Sequence, residues 1–325
     1  MPEMTVREAI TLGLREALKQ DPRVFIMGED VGAYQGAYAV TKNFLQEFGP
    51  ERIRDTPISE AAFVGAGIGA AMGGLRPVVE IMTINFSLLA ADQLVNHAAR
   101  IHYMSAGQFT VPLIVRTVTG GGAGLGATHS QSLEGWYATV PGMMVVSPST
   151  PYDALGLLRS CFKQNGPVIF CEHALLYGTR GEVPDDYYEI PLGQPRVARQ
   201  GKDITLVGYS RMAHVATEAA DLLAQRGVEA EVIDLRGLRP LDLDPVIASV
   251  NKTHRCVVVE ETWAMGGFGA WIAHQVETAV FDSLDGPVVH LGGADVPSPY
   301  ARNLEQLVIP NAASVIKVAE EQFGL

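Results

Sequence analysis

Short apolar runs alternate with helix-length amphipathic segments along nearly the whole chain, and this alternation restricts the fold more than any other feature. Thr5 to Gln20 carries apolar residues at helical spacing (Val6, Ala9, Ile10, Leu14, Leu18), and Val24-Phe-Ile-Met27 then stops at Gly28-Glu-Asp-Val-Gly. Further strands are expected at Pro77–Glu80, Pro112–Arg116, Met143–Val146 and Val168–Cys171, with helices at Thr41–Phe48, Ser87–Ile101 and Tyr152–Asn165. Strands that alternate with helices imply an α/β fold, a parallel sheet covered on both faces. In such sheets ligands collect outside the carboxyl ends of the strands.

Residues 173–203 change character, with Gly178, Gly181, Pro184, Pro191 and Pro195 among several charges, and read as a linker. The alternation resumes with strands at Ile204–Val207, Ala230–Ile233, Cys256–Glu260 and Val288–Leu291. Helices fall at Ala213–Arg226, Pro245–Val250, Gly267–Ala279 and from about Ala312. The expectation is two domains, 1–190 including the linker from about 173, and a smaller one at 191–325. At 325 residues the chain also exceeds what one ordinary core covers.

Charge and cysteine usage exclude several classes. Lys and Arg number 24 against 36 Asp and Glu, a net charge of −12 with no basic stripe, which argues against nucleic acid as a partner. Cys161, Cys171 and Cys256 are odd in number and form no CxxC pair, so a disulfide framework or zinc ribbon is not expected. The first residues carry acids and no apolar core of a signal peptide. The longest uncharged apolar stretch, Ala61 to Leu75, is short of a membrane span. A cytoplasmic location, or an organelle matrix for a mature chain, is the default expectation.

Two segments carry chemistry. Arg54-Asp-Thr-Pro-Ile-Ser-Glu60 runs into a stretch of Ala and Gly that ends at Gly74. Pro57 ends the extended run, Ser59 is placed to cap a helix, and residues this small let a backbone or a flat ligand come close. Glu60 then faces either the helix dipole alone or a ring nitrogen. Gly65-Ala-Gly67-Ile-Gly-Ala70 matches a dinucleotide fingerprint formally, but no strand immediately precedes it. The second segment is Thr119-Gly-Gly-Gly-Ala-Gly-Leu-Gly-Ala-Thr-His-Ser130, expected to be a mobile loop at a strand's carboxyl end. Its one titratable residue, His129, is either structural or catalytic. Phe86 could stack on a heterocycle or fill the core. Of the adjacent Glu29 and Asp30, at most one can face a given site.

Taken together, Gly28-Glu-Asp-Val, Asp55-Thr-Pro-Ile-Ser-Glu60, Asn85-Phe-Ser, His129-Ser-Gln-Ser-Leu-Glu-Gly, Pro148-Ser-Thr-Pro-Tyr-Asp-Ala, Val232-Ile-Asp-Leu-Arg, Arg239-Pro-Leu-Asp and Ala294-Asp-Val-Pro-Ser-Pro-Tyr resemble one family over essentially the full chain. It is that of the beta subunits of the thiamine diphosphate-dependent decarboxylase of 2-oxo acid dehydrogenase complexes, nearest its pyruvate-specific branch. The resemblance implies a pyrimidine-binding domain followed by a transketolase C-terminal-like domain. It implies decarboxylation of pyruvate and reductive acetylation of the lipoyl group of an acyltransferase component. Enzymes of this kind hold diphosphate and magnesium with a GDG motif and a later Asn, and this chain has no GDG. The resemblance therefore implies half an active site, completed by an alpha subunit that holds the magnesium in an α₂β₂ heterotetramer.

The resemblance also implies roles. Glu60 matches the carboxylate that hydrogen-bonds the far pyrimidine nitrogen, Glu29 a residue that orients it, and Phe86 the aromatic packed on that ring. His129 matches the loop histidine that serves acyl transfer. A structural potassium ion is implied at Leu113, Cys161, Phe162, Gln164 and Gly166, with Gln164 and Gly166 departing from the commoner Asp and Asn. The second domain is expected to dock the peripheral subunit-binding domain of the acyltransferase. An acetoin- or branched-chain-specific homologue keeps the same chemistry. An NAD-linked oxidoreductase and a non-catalytic assembly subunit are the readings from other classes.

Overall fold

A computed structural model describes residues 2–325 of the chain. The chain divides into two units, one made of residues 1–119 and 136–192, the other of 120–135 and 193–325.

The strands of the first unit are β1 (Glu3–Thr5), β2 (Val24–Gly28), β3 (Ile53–Asp55), β4 (Arg76–Ile81), β5 (Ile114–Thr119), β6 (Met144–Val146), β7 (Val168–His173) and β8 (Arg180–Glu182). Six of them form an all-parallel array in the order β6-β7-β5-β4-β2-β3, and β1 pairs antiparallel with β8. Its helices are α1 (Val6–Gln20), α2 (Phe44–Phe48), α3 (Glu60–Met72), α4 (Ile101–Met104), α5 (Glu134–Ala138, at the boundary) and α6 (Pro151–Cys161).

Adjacent strand residues point to opposite faces, and both faces are covered. Val78 joins the core formed by Ile10 and Leu14 of α1 with Leu155 and Leu158 of α6. Its neighbour Val79 meets α3 instead. A Cβ added to Gly67 would lie 2.7 Å from Val79 Cγ2, so glycine there lets helix and strand approach closely. Thr5 begins α1 with a capping box, its hydroxyl accepting from the Glu8 N–H while Glu8 accepts from the Thr5 N–H.

The second unit contains β9 (Arg196–Arg199), β10 (Ile204–Gly208), β11 (Ala230–Asp234), the short β12 (Gly237–Arg239), β13 (Cys256–Trp263) and β14 (Val289–Gly293). The order β14-β13-β10-β11-β9 is parallel except for the edge strand β9. Helices α7 (Arg211–Ala224), α8 (Asp244–Thr253), α9 (Phe268–Val280), α10 (Arg302–Val308) and α11 (Ala312–Phe323) complete it. Leu206, Val232 and Val257 of the sheet pack with Ala216 and Leu223 of α7 and Val315 of α11.

Several expectations needed correction. The helix read at Ser87–Ile101 is a 3₁₀ segment at Ile84–Ala90, a π segment at Gln93–Ala98 and then α4. Its apolar spacing fits a helix, but the packing resolves it into turns of three different pitches. The linker holds β8 and β9, which lie too close to Pro and Gly to stand out as strands. β1, β3 and α10 were not anticipated, each too short for a periodic signal. The three cysteines are free and buried. Among the described residues no helix is long and apolar enough to cross a membrane.

Candidate functional site

In the first unit the site is built where β2 and β3 end. Asp55 closes β3, and its carboxylate accepts from the N–H groups of Gly32 (2.6 Å) and Ala33 (2.9 Å). That fixes the turn after β2, the turn that carries Glu29. Gly28 permits the turn, because a Cβ on it would meet the Glu80 carbonyl oxygen at 2.5 Å. Glu29 is buried while Asp30 is exposed with φ 57°, so one of the adjacent acids faces inward.

Glu60 is the first residue of α3 and is 4% exposed. Ser59 lies at the cap position but makes no side-chain cap bond, with φ −165° and ψ 70°. Its carbonyl oxygen instead accepts from the N–H groups of Ala62 and Phe63. Burial pushes the Glu29 carboxyl above its ordinary range, and the nearby charges of Glu60 and Asp30 add to this. Glu29 Oε1 is buried with no hydrogen-bond partner. Two acids are thus held close together, one with an unsatisfied oxygen. A buried polar atom of this kind is costly unless something binds it.

Phe86 lies half-buried in the 3₁₀ segment Ile84–Ala90, which packs against α3. Its neighbour Asn85 is buried and accepts from the Thr83 hydroxyl at 2.8 Å. Behind these residues Arg116 reaches Glu80 (2.5 Å) and Glu172 (2.6 Å), and the Tyr177 hydroxyl donates to Glu172 at 2.5 Å. Burial raises the Glu80 carboxyl while the Arg116 charge opposes it. Removing one member of such a buried set leaves an uncompensated charge. Sequence reading missed this set, because Glu80, Arg116 and Glu172 sit on three different strands and Tyr177 in the turn after β7.

The glycine fingerprint is not a dinucleotide loop. Gly65, Gly67 and Gly69 all lie inside α3 rather than at a strand-to-helix turn.

The potassium positions are in the first unit as well. Arg76 donates to the carbonyl oxygens of Phe162 (2.7 Å) and Gln164 (3.1 Å). The Leu113 carbonyl accepts from the Val168 N–H and the Cys161 carbonyl from the Gln164 N–H. Gly166 is half-buried in the turn before β7. A guanidinium thus stands on the carbonyl oxygens of two of the five positions.

His129 belongs to the second unit with the whole glycine loop. It is exposed, its Nδ1 lies 3.0 Å from the Thr128 hydroxyl, and its N–H donates to the Gly126 carbonyl at 3.2 Å. The loop is not left to itself. Gly121 N–H donates to Glu261 Oε1, and Gly122 and Gly124 donate to the two oxygens of Glu305. Neither acid stood out in the sequence.

Residues 2–179 match the transketolase pyrimidine-binding domain and residues 193–315 the transketolase C-terminal domain. The chain is 48% identical over 322 residues to the mitochondrial pyruvate dehydrogenase E1 component subunit beta-2 of Oryza sativa subsp. japonica, covering 98% of this chain and 86% of that one. It is 44% identical over 319 residues to the E1 component subunit beta of Rickettsia felis, covering 98% of both chains. A solved split-gene transketolase, an inactive β4 tetramer, superposes with a TM-score of 0.79 at 23% identity, covering 99% of each chain, a likeness of fold. Identity of this order over nearly the full length, with both domains matched in sequence order, places the chain in the family of pyruvate dehydrogenase E1 component beta subunits.

Proposed function

We propose that this chain is the beta half of a thiamine diphosphate-dependent pyruvate dehydrogenase. In this reading it completes its active site with an alpha subunit and passes the acetyl group to a lipoyl domain. The observation that carries the reading is the buried pair Glu29 and Glu60, one with an unsatisfied oxygen, on a helix of small residues. These residues fit a cofactor ring that brings its own polar edge to the pair. The domain boundary is proposed at about 190, and the location as the cytoplasm or a mitochondrial matrix.

When bound, thiamine diphosphate supplies the electron sink for breaking the bond between the carboxylate and carbonyl carbons of a 2-oxo acid. Glu60 would hold a proton at the far pyrimidine nitrogen. A charge-assisted hydrogen bond in dry surroundings is strong enough to bias a tautomer. Glu29, whose carboxyl retains its proton more readily, limits the like-charge cost of placing two acids together. Phe86 would offer its face to the ring, and His129 would handle a proton as the acyl group passes to one sulfur of the lipoyl disulfide, whose S–S bond breaks and whose other sulfur leaves as a thiol. Diphosphate and magnesium fall to the alpha subunit, since no GDG is present.

Co-expression with an alpha subunit tests the proposal, assaying pyruvate, branched-chain 2-oxo acids and acetoin with added thiamine diphosphate and magnesium. Pyruvate is expected as the preferred substrate, and preference for another assigns the chain to that branch. The isolated chain is expected to be inactive. Turnover by it alone would overturn the half-site reading.

A further inference from the structure

We infer that Glu305, with Glu261 beside it, is a positioning residue for the loop that presents His129. The inference rests on the role proposed for His129 and adds two residues to it.

The backbone supplies the first argument. Gly120, Gly122, Gly124 and Gly126 have φ of 89°, 91°, 71° and 79°, whereas no positive φ occurs at 121, 123 or 125. Successive residues of alternating hand turn their N–H groups toward one concave side, which makes an anion cradle. Here the anion belongs to the chain itself. Glu305 Oε1 accepts from Gly122 at 2.9 Å and Oε2 from Gly124 at 2.9 Å, while Glu261 Oε1 accepts from Gly121 at 2.6 Å.

Burial supplies the second. Glu305 is 1% exposed, so water does not compete for these bonds, and a charged acceptor strengthens each of them. Packing closes the arrangement. A Cβ on Gly121 would meet Ile309 Cδ1 at 3.0 Å, and one on Gly126 would meet Tyr300 Cδ2 at 3.3 Å. The Gly120 N–H donates to the Gln131 carbonyl at 3.0 Å, which ties the two ends of the segment together. Five glycines in seven residues have no side chains to order themselves. Two acids from β13 and α10, 140 to 183 residues further along, order them instead. His129 follows Gly126 by three residues and is held to it through its own N–H.

Glu305→Gln keeps the shape but can accept from only one of the two glycine N–H groups, since its NH₂ is a donor. Hydrogen exchange should be followed by mass spectrometry in the full α/β complex, together with two rates. One rate is decarboxylation read with an artificial electron acceptor, and the other is acetyl transfer to a lipoyl domain. Exchange in the peptide covering 120–130 is expected to rise at least about tenfold, with the α3 peptide unchanged. Acetyl transfer is expected to fall about tenfold while decarboxylation stays within about twofold. Unchanged exchange at 120–130 overturns the clamp. Faster exchange with transfer intact overturns the positioning role, as does an equal fall in both rates with exchange rising throughout 193–325. If the wild-type complex does not turn over pyruvate, the functional proposal fails while the exchange experiment still reads the clamp.

Discussion

The turn after β2 and the glycine loop before His129 use the same device at different depths. In each, a carboxylate accepts from two backbone N–H groups and fixes a segment that carries a candidate functional side chain. Asp55 holds Gly32 and Ala33 from 22 or 23 residues away, and it is exposed. Glu305 holds Gly122 and Gly124 from more than 180 residues away, and it is buried. An exposed carboxylate is itself shared with water, and so is the Ala33 donor, so its loss costs less. A buried clamp leaves donors stranded when it is removed. The first device therefore tunes the turn, whereas the second determines whether its loop is ordered at all.

Four substitutions break or sharpen this comparison, and the largest effect belongs to the chemistry the first turn serves. Glu60→Gln is expected to lower decarboxylation and overall turnover of the reconstituted complex alike, by ~10²–10⁴. Steady-state rates with both acceptors check this. A loss confined to acetyl transfer would assign Glu60 to the other loop's task.

Gly28→Ala should come next. Its Cβ would stand 2.5 Å from the Glu80 carbonyl oxygen, and neither backbone can yield without moving a paired strand. A destabilisation of about 1–3 kcal/mol is expected from denaturant unfolding. A neutral result would mean that the turn after β2 is looser than its geometry.

Asp55→Ala should cost about 1 kcal/mol, because Asp55 and Ala33 are exposed and water can replace the lost acceptor there, while only the buried Gly32 N–H is left to find a new partner. Decarboxylation is expected to fall by no more than about fivefold, in contrast to the larger response of the buried clamp. If Asp55→Ala matches Glu305→Gln in both exchange and rate, burial does not separate the two devices.

Glu29→Gln is the smallest and depends on pH. The Glu29 carboxyl is raised in the folded chain, so folding favours its protonated form. Its contribution is fully present below the unfolded-state value and is lost as pH rises through the raised one. The Gln variant, free of that charge, should melt about 1–3 °C above the wild type at neutral pH. The gap should vanish in mild acid, and thermal scans of the cofactor-free chain across that window check it. A constant gap would mean that packing rather than titration separates the variants.

Much of this architecture was written in local patterns. The alternation of Val24-Phe-Ile-Met27 and its successors with amphipathic stretches gave the parallel sheets, because period and burial are properties of short segments. Adjacency limited Glu29 and Asp30 to one acid facing a given site, and the turn after β2, with Asp30 at φ 57°, decided that the buried one is Glu29. The helix at Ser87–Ile101 was misread because apolar spacing does not distinguish an α-helix from 3₁₀ and π turns packed on α3. Ser59 was misread as a side-chain cap because residue type does not fix φ and ψ.

The sequence by itself determined which segments become strands and helices, that five glycines form a loop, and that Glu60 opens a helix of small residues. Those properties depend on neighbours a few positions away. Only the tertiary structure decided that Arg116 lies between Glu80 and Glu172, that Arg76 occupies the carbonyls of Phe162 and Gln164, and that Glu261 and Glu305 hold Gly121, Gly122 and Gly124. Each of those bonds joins residues 36 or more apart in the chain. Which distant acid meets which donor is set by strand order and packing, and no local pattern encodes it.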